Sequence, residues 1–161
     1  TIDKDGNCEV PIKKLKNELK KDEGIIPHVY LCSEGYPTCG VGHLITHNDP
    51  EYGWPEHAEV SEERIEELLE QDLKICMTDA RAVFSNFDEL HEDAQMTICN
   101  MTFQLGRTKF SKFKKFKEAL LKEDFHEAAN QILDSRYAKQ TPARANRQAE
   151  RIRSLAVSAN A

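Results

Sequence analysis

Apolar residues recur along this chain with two different periods, and the points where the period changes mark its elements. Ile12, Leu15 and Leu19 fall at i, i+3 and i+7, one face of an amphipathic helix. Glu23, four beyond Leu19, belongs to that same inward face, and Gly24 supplies the helix stop. Residues 28–32 and 36–41 read as two strands around a turn at Ser33-Glu34-Gly35. Ser61 caps the next helix, with Glu62 and Glu63 in its first turn and Ile65, Leu68, Leu69, Leu73 and Cys76 as its inward stripe. From Phe84 onward the pattern is helical. Phe110, Phe113 and Phe116 recur at three-residue spacing among Lys109, Lys112, Lys114, Lys115 and Lys117, which suits core packing with snorkelled lysines. Thr141 and Pro142 open the closing helix as N-cap and N1. The predicted fold is α+β and mainly α. A linker covers residues 1–11, a hairpin lobe 12–60, a joining helix 61–82, a helical lobe 83–153 and a tail without helical patterning 154–161.

The chemistry gathers around Glu23. A carboxylate on an inward face, at the negative end of a helix dipole, is favoured in its protonated form and can donate that proton. The ordinary alternative is a salt-bridged residue at a helix end. The neighbouring hairpin adds weight to the first reading. If Cys32 pairs with Tyr36, Cys32 and Thr38 project from one sheet face, diagonally across the strands. A one-residue slip would separate them.

The motif Asp22-Glu23-Gly24, followed by Tyr30, Gly35-Tyr36, Thr38 and Gly40-Val41-Gly42-His43-Leu44, resembles the phage-type lysozymes of the T-even kind, glycoside hydrolase family 24. The likeness continues in VSEERIEELLEQDL, which resembles the family's long inter-lobe helix, in ICNMTFQLG, similar to its central buried helix, and in SRYAKQTPARANR, similar to its closing segment. It covers roughly residues 12 to 153 with the pieces in order. The resemblance implies a two-lobe lysozyme-like fold and cleavage of the β-1,4 bond between N-acetylmuramate and N-acetylglucosamine in bacterial peptidoglycan. It implies that Glu23 is the acid, Thr38 the active-site threonine and Arg144 the arginine that orients the acid. Leu44, Phe103 and Gln131 fall at substrate-contact positions, and His43 with Asp72 at a structural ion pair. It implies no metal and no organic cofactor.

One position departs. The family carries an aspartate nine residues after the glutamate, and this chain has Cys32 there. Glycoside hydrolysis generally uses two carboxylates. A thiol has a reference pKa of about 8.5, and an ionised glutamate nearby would raise it, so a neutral Cys32 is expected unless a cation such as Arg144 favours the thiolate. Three outcomes stay open: Cys32 and Thr38 orient a water, a Cys32 thiolate attacks the anomeric carbon, or the site binds glycan without cutting it. Glu34 is a substitute carboxylate only if the turn brings it inward. The competing class is therefore a non-catalytic glycan-binding or virion structural module.

Composition narrows the setting. The chain has 161 residues and a net charge of −6, with 9 Lys/Arg against 22 Asp/Glu in residues 1–100 and 13 against 6 in residues 101–161. A basic back half can orient the protein on an anionic wall polymer, and no nucleic-acid motif accompanies it. No apolar run approaches membrane-spanning length, so no membrane insertion is expected, and no signal peptide is visible. Five cysteines without metal-type clustering read as free thiols from a reducing compartment, with a Cys32–Cys39 bridge as the alternative. Asp3, Asp5 and Gly6 are spaced like part of a calcium loop, but Thr1 and Ile12 occupy ligand positions, which favours a turn-rich linker. Residues 47–59 read as a polar connection, with Trp54 as either a sugar-stacking residue or a loop anchor. Synthesis in a host cytoplasm and action on the periplasmic wall follow from the resemblance, as a free endolysin or as a tail-associated module in contact with other virion tail proteins. Both chain ends read as cuts through linkers.

Overall fold

A computed structural model of the protein describes residues 11–160, so the partial calcium-loop pattern at Asp3, Asp5 and Gly6 lies outside the described residues. Two compact units divide the chain, one spanning Ile12–Ile75 and the other running from Cys76 onward.

The first unit opens with helix α1, Ile12–Glu23. Leu15 and Leu19 are fully buried, whereas Ile12, one turn earlier, remains at the exposed edge. Gly24 ends the helix at φ +76°, its amide returning to the Lys20 carbonyl at 2.9 Å. Only glycine adopts that conformation without a Cβ penalty. A three-stranded antiparallel sheet follows, in the order β1 (Ile26–Leu31), β2 (Pro37–Gly40), β3 (His43–Leu44). The third strand was not visible in the sequence, because two residues carry no period. Residues 47–59, expected as a polar connection, form a chain of turns whose last part returns to the sheet. Val29 donates to Ala58 and His57 to Val29, at 2.9 and 2.7 Å, and Val60 donates to Pro27 at 2.9 Å. The free edge of β1 is thereby covered.

Helix α2, Glu62–Val83, starts where Ser61 predicts, with Ser61 Oγ accepting the Arg64 amide at 3.1 Å. Its expected stripe, Ile65 through Cys76, is buried along its whole length. Lys16 of α1 bonds Glu66 and Glu70 at 2.8 and 2.9 Å, fastening α1 to the first half of α2. These exposed pairs contribute little individually.

The second unit is helical: a 3-10 turn at Phe87–Glu89, then α3 (Glu92–Phe110), α4 (Lys114–Leu121), α5 (Phe125–Leu133), α6 (Arg136–Gln140) and α7 (Pro142–Asn160). Every residue of α3 from Ala94 to Thr102 is buried, including Gln95, Thr97, Asn100 and Thr102. Burial of so many polar groups requires partners. Gln95 donates to the Phe87 carbonyl at 2.8 Å, and Thr102 donates to the Ile98 carbonyl at 2.7 Å. Gly106, at φ +82°, breaks the helical geometry inside α3. Phe84, Phe110 and Phe116 form a mutually packed cluster with ring centroids 6.1–6.3 Å apart, which accounts for the three-residue phenylalanine spacing. Phe113 stands at its half-buried rim.

The tail expected at residues 154–161 is corrected: α7 continues to Asn160. Leu155 and Ala156 are buried and prolong the stripe of Ala145, Ala149 and Ile152. α7 packs against α5.

Candidate active site

The hairpin builds the core of the site. The Cys32 amide donates to the Tyr36 carbonyl at 2.9 Å, and the Gly35 amide to the Cys32 carbonyl at 2.8 Å. Gly35 takes φ +84°, closing a three-residue loop that ends in a left-handed residue. Leu31 pairs with Pro37 and Tyr30 with Thr38, so the register is the one that sets Cys32 opposite Tyr36. Cys32 and Thr38 therefore share a face with Tyr30, and through the Thr38–Leu44 pair with Leu44 also. Thr38 is buried and Leu44 half exposed.

The Thr38 hydroxyl donates to the Tyr36 carbonyl at 2.9 Å. The neighbouring Cys32 thiol lies low in the thiol range. The backbone N–H groups of Glu34 and Tyr36 donate to the sulfur and Thr38 adds a third bond, outweighing burial and the Glu34 charge. The Glu34 carboxylate acts in the expected upward direction, but the turn amides, which the sequence reading did not include, outweigh it. The turn aims amides at the sulfur, an effect of backbone geometry that residue types do not reveal. Glu34 itself is exposed. The Cys32–Cys39 bridge does not form: both are free thiols. Seven residues apart, they point to opposite sheet faces, and burial followed by the Glu51 and Asp49 charges pushes Cys39 up to about 11.

Glu23, half-buried, ends α1 with its carboxylate against Gly42. Its charge reaches the Tyr30 phenol, which is raised first by burial and then by Glu23 and Cys32. Tyr30 thus stands electrostatically between the two, a role its mere presence in the motif did not signal.

Behind the β2–β3 turn lies a buried charge network larger than the expected pair. His43 Nδ1 and Asp72 Oδ2 are 2.7 Å apart, and His43 Nε2 and Asp49 Oδ2 are 2.9 Å apart. Burial opposes charge on His43, but its bonds to Asp72 and Asp49 prevail and raise its pKa. Asp49 also accepts the Thr46 amide at 2.9 Å. Arg64 grips buried Glu51 through Nε and Nη2 at 2.9 and 3.1 Å. Asp49 and Glu51 lie in the segment read as a polar connection. A signal was available: Arg64 sits in the first turn of α2, where the helix dipole disfavours a cation. Trp54 is 42% exposed.

In the second unit, Arg144 is buried in the first turn of α7 and donates from Nε to Asn100 Oδ1 at 2.8 Å. Asn100 on α3 is thus a partner that sequence reasoning missed. Phe103 is half-buried on α3 before the Gly106 kink. Gln131, on α5, donates to Glu127 at 2.6 Å. Among the described residues, no cluster of three or more His, Cys, Asp or Glu is arranged to hold a metal, and no helix is long and apolar enough to cross a membrane.

The Phage lysozyme family model matches residues 20–151. The chain is 31% identical to Probable T4-type lysozyme 2 of Dictyostelium discoideum, across 84% of this chain and 91% of the relative. It is 29% identical to Probable T4-type lysozyme 1 of the same organism, with the same coverage. It is also 29% identical to the Pre-baseplate central spike protein Gp5 of Enterobacteria phage T4, across 85% of this chain but 27% of that protein. With its α+β, mainly helical fold and the motif running from Glu23 to Leu44, the chain belongs to the phage lysozyme family and is a glycoside hydrolase of the lysozyme kind.

Proposed function

We propose that the protein is a muramidase that cuts the β-1,4 bond between N-acetylmuramate and N-acetylglucosamine, with Glu23 as the acid. The observation that carries this reading is the pairing of a half-buried carboxylate, held against Gly42, with a polarised Cys32–Thr38 pair on the adjacent sheet face. Glu23 protonates the leaving glycosidic oxygen as the C–O bond breaks, and the electron pair stays with that oxygen. The oxocarbenium-like sugar then needs negative charge and a positioned water.

Cys32 supplies the charge. Backbone N–H groups favour its thiolate over that of a free cysteine, and it stands where the family has a carboxylate. Thr38 has one hydroxyl proton and two acceptors beside it, the Tyr36 carbonyl and the sulfur. It can hold the pair in place and leave a lone pair for the attacking water, whose proton passes to the Cys32 sulfur on the face opposite Glu23. Arg144 keeps the acid-orienting role that the resemblance gives it, steadied by Asn100. Leu44, Phe103 and Gln131 are the proposed substrate contacts.

Loss of turbidity in a peptidoglycan suspension tests the reading. Glu23→Gln should lower the rate by about 10²- to 10⁴-fold, and Cys32→Ala should lower it less. Cys32→Asp should match or exceed the natural chain. If the natural chain and Glu23→Gln pellet with the wall and neither clears it, the domain is a glycan-binding module instead. Inversion in the product separates the water route from a thiol-covalent one, which retains configuration. The likeness to a baseplate spike protein also favours a tail-associated setting, which co-sedimentation with virions would test.

A further inference from the structure

Between β3 and the segment that covers β1, the chain makes a run of turns that buries carboxylates and exposes aromatics. Asp49 and Glu51 are buried, whereas Tyr52 and Trp54 beside them are 61% and 42% exposed. The Tyr52 amide donates to the Asp49 carbonyl and the Trp54 amide to the Glu51 carbonyl, both at 3.0 Å. Gly53, at φ +84°, stands between the two aromatic residues. Asp49 is fixed by His43 and Glu51 by Arg64. The turns are thus held from beneath by buried ion pairs, and Trp54 is not needed as the anchor of its own loop. Aromatic side chains carried on a backbone fixed in this way lose little freedom when a flat ligand settles on them.

We propose that Tyr52 and Trp54 form a second glycan-holding surface, separate from the reacting site, for neutral N-acetylated sugar rings of a β-1,4-linked wall glycan. The choice of ligand rests on the muramidase reading. A pyranose presents C–H bonds on its face, which stack on an aromatic ring, and leaves its hydroxyl and acetamido groups to bond polar neighbours. Glu56, His57 and Glu59, which follow in the chain, are all exposed. The two glutamates would repel an anionic wall polymer and so favour an uncharged sugar. A protein partner or a second copy fits less well. At their exposures the two side chains offer roughly 200 Å² of aromatic surface, against about 800 Å² per partner in a stable protein interface. Position separates this surface from the cleavage chemistry. Residues 57–60 bond to β1 along the edge away from β2, whereas Leu44 lies on β3 at the other side of the sheet. A surface there holds the protein on the glycan while the reacting site lets go of a cut bond.

Trp54 is the one tryptophan of the chain, so tryptophan fluorescence reports directly on this surface. Titration of the full chain with a tetramer of β-1,4-linked N-acetylglucosamine should give a saturable blue shift. Tyr52→Ala should weaken the apparent affinity about fivefold, the worth of one aromatic stacking contact. The shift should persist in Leu44→Ala, because Leu44 belongs to the proposed cleavage site. In thermal unfolding, Trp54→Ala should keep the midpoint of the natural chain. No shift, a shift unaltered by Tyr52→Ala, or one lost in Leu44→Ala overturns the proposal. A large fall in the Trp54→Ala midpoint also overturns it, by making Trp54 a loop anchor. A concentration-dependent dimer that Trp54→Ala abolishes does the same, by identifying a second copy as the occupant. None of these measurements involves glycan cleavage, so failure of the turbidity assay would count against the muramidase reading alone.

Discussion

Gly42 and Glu23 meet at close range: a Cβ at position 42 would stand 3.1 Å from Oε2 of Glu23, on a backbone already at φ +65°. The β2–β3 turn thus requires glycine twice, once for its left-handed conformation and once to leave room for the acid. Gly42→Ala should cost roughly 1–2 kcal/mol of stability through the backbone alone. The carboxylate is the flexible partner and will yield, so wall clearance should fall well beyond what that stability loss explains. Thermal unfolding and turbidity assays on one preparation compare the two. Natural activity in a destabilised Gly42→Ala protein would remove Glu23 from the reaction.

Cys32 should be alkylated by iodoacetamide with a pH midpoint below that of a free cysteine, about 8.5. Thr38→Val removes one of the bonds to sulfur and should move the midpoint upward. Alkylation should abolish wall clearance. A midpoint at or above the free value would show that the turn amides do not favour the thiolate.

The His43 network makes stability depend on pH with a definite sign. His43 is raised above its ordinary 6.5, so its contribution is complete below that value and is lost as pH rises through the folded-state pKa. Asp49 is displaced in the opposite direction: burial opposes its charge, but the Thr46 amide and His43 prevail and lower its pKa. Its contribution is present above the ordinary 3.8 and is lost as pH falls through its folded-state pKa. Urea unfolding should therefore show His43→Gln costing about 3 kcal/mol near pH 6 and progressively less in alkaline buffer. A cost that grows with pH contradicts this assignment.

Arg64 neutralises Glu51, which is almost wholly buried. Arg64→Met alone should cost about 3 kcal/mol, because it strands a buried carboxylate. Adding Glu51→Leu should recover most of the loss. Two independent costs that simply add in the denaturation series would mean that the pair is not coupled.

The sequence was legible where local chemistry decides. The Leu15/Leu19 stripe, the Gly24 stop, the Ser61 cap and the Ile65-to-Cys76 face each depend on a few adjacent residues, and each stands where its pattern puts it. The hairpin register was legible too, because Gly35 fixes the loop and the loop fixes the pairing. The third strand, too short to carry a period, and the helical continuation of α7 were not.

The sequence by itself determined the family and the α+β order of elements, because motif spacing and periodicity are properties of the chain. Tertiary structure alone decided the surroundings of individual side chains. The Cys32 sulfur is polarised by amides that a turn happens to aim at it, and Asp49 and Glu51 are buried because His43 and Arg64 come to them from elsewhere in the fold. Charge, burial and hydrogen bonding depend on neighbours in space, and a polar loop has the same composition whether water or an arginine faces it.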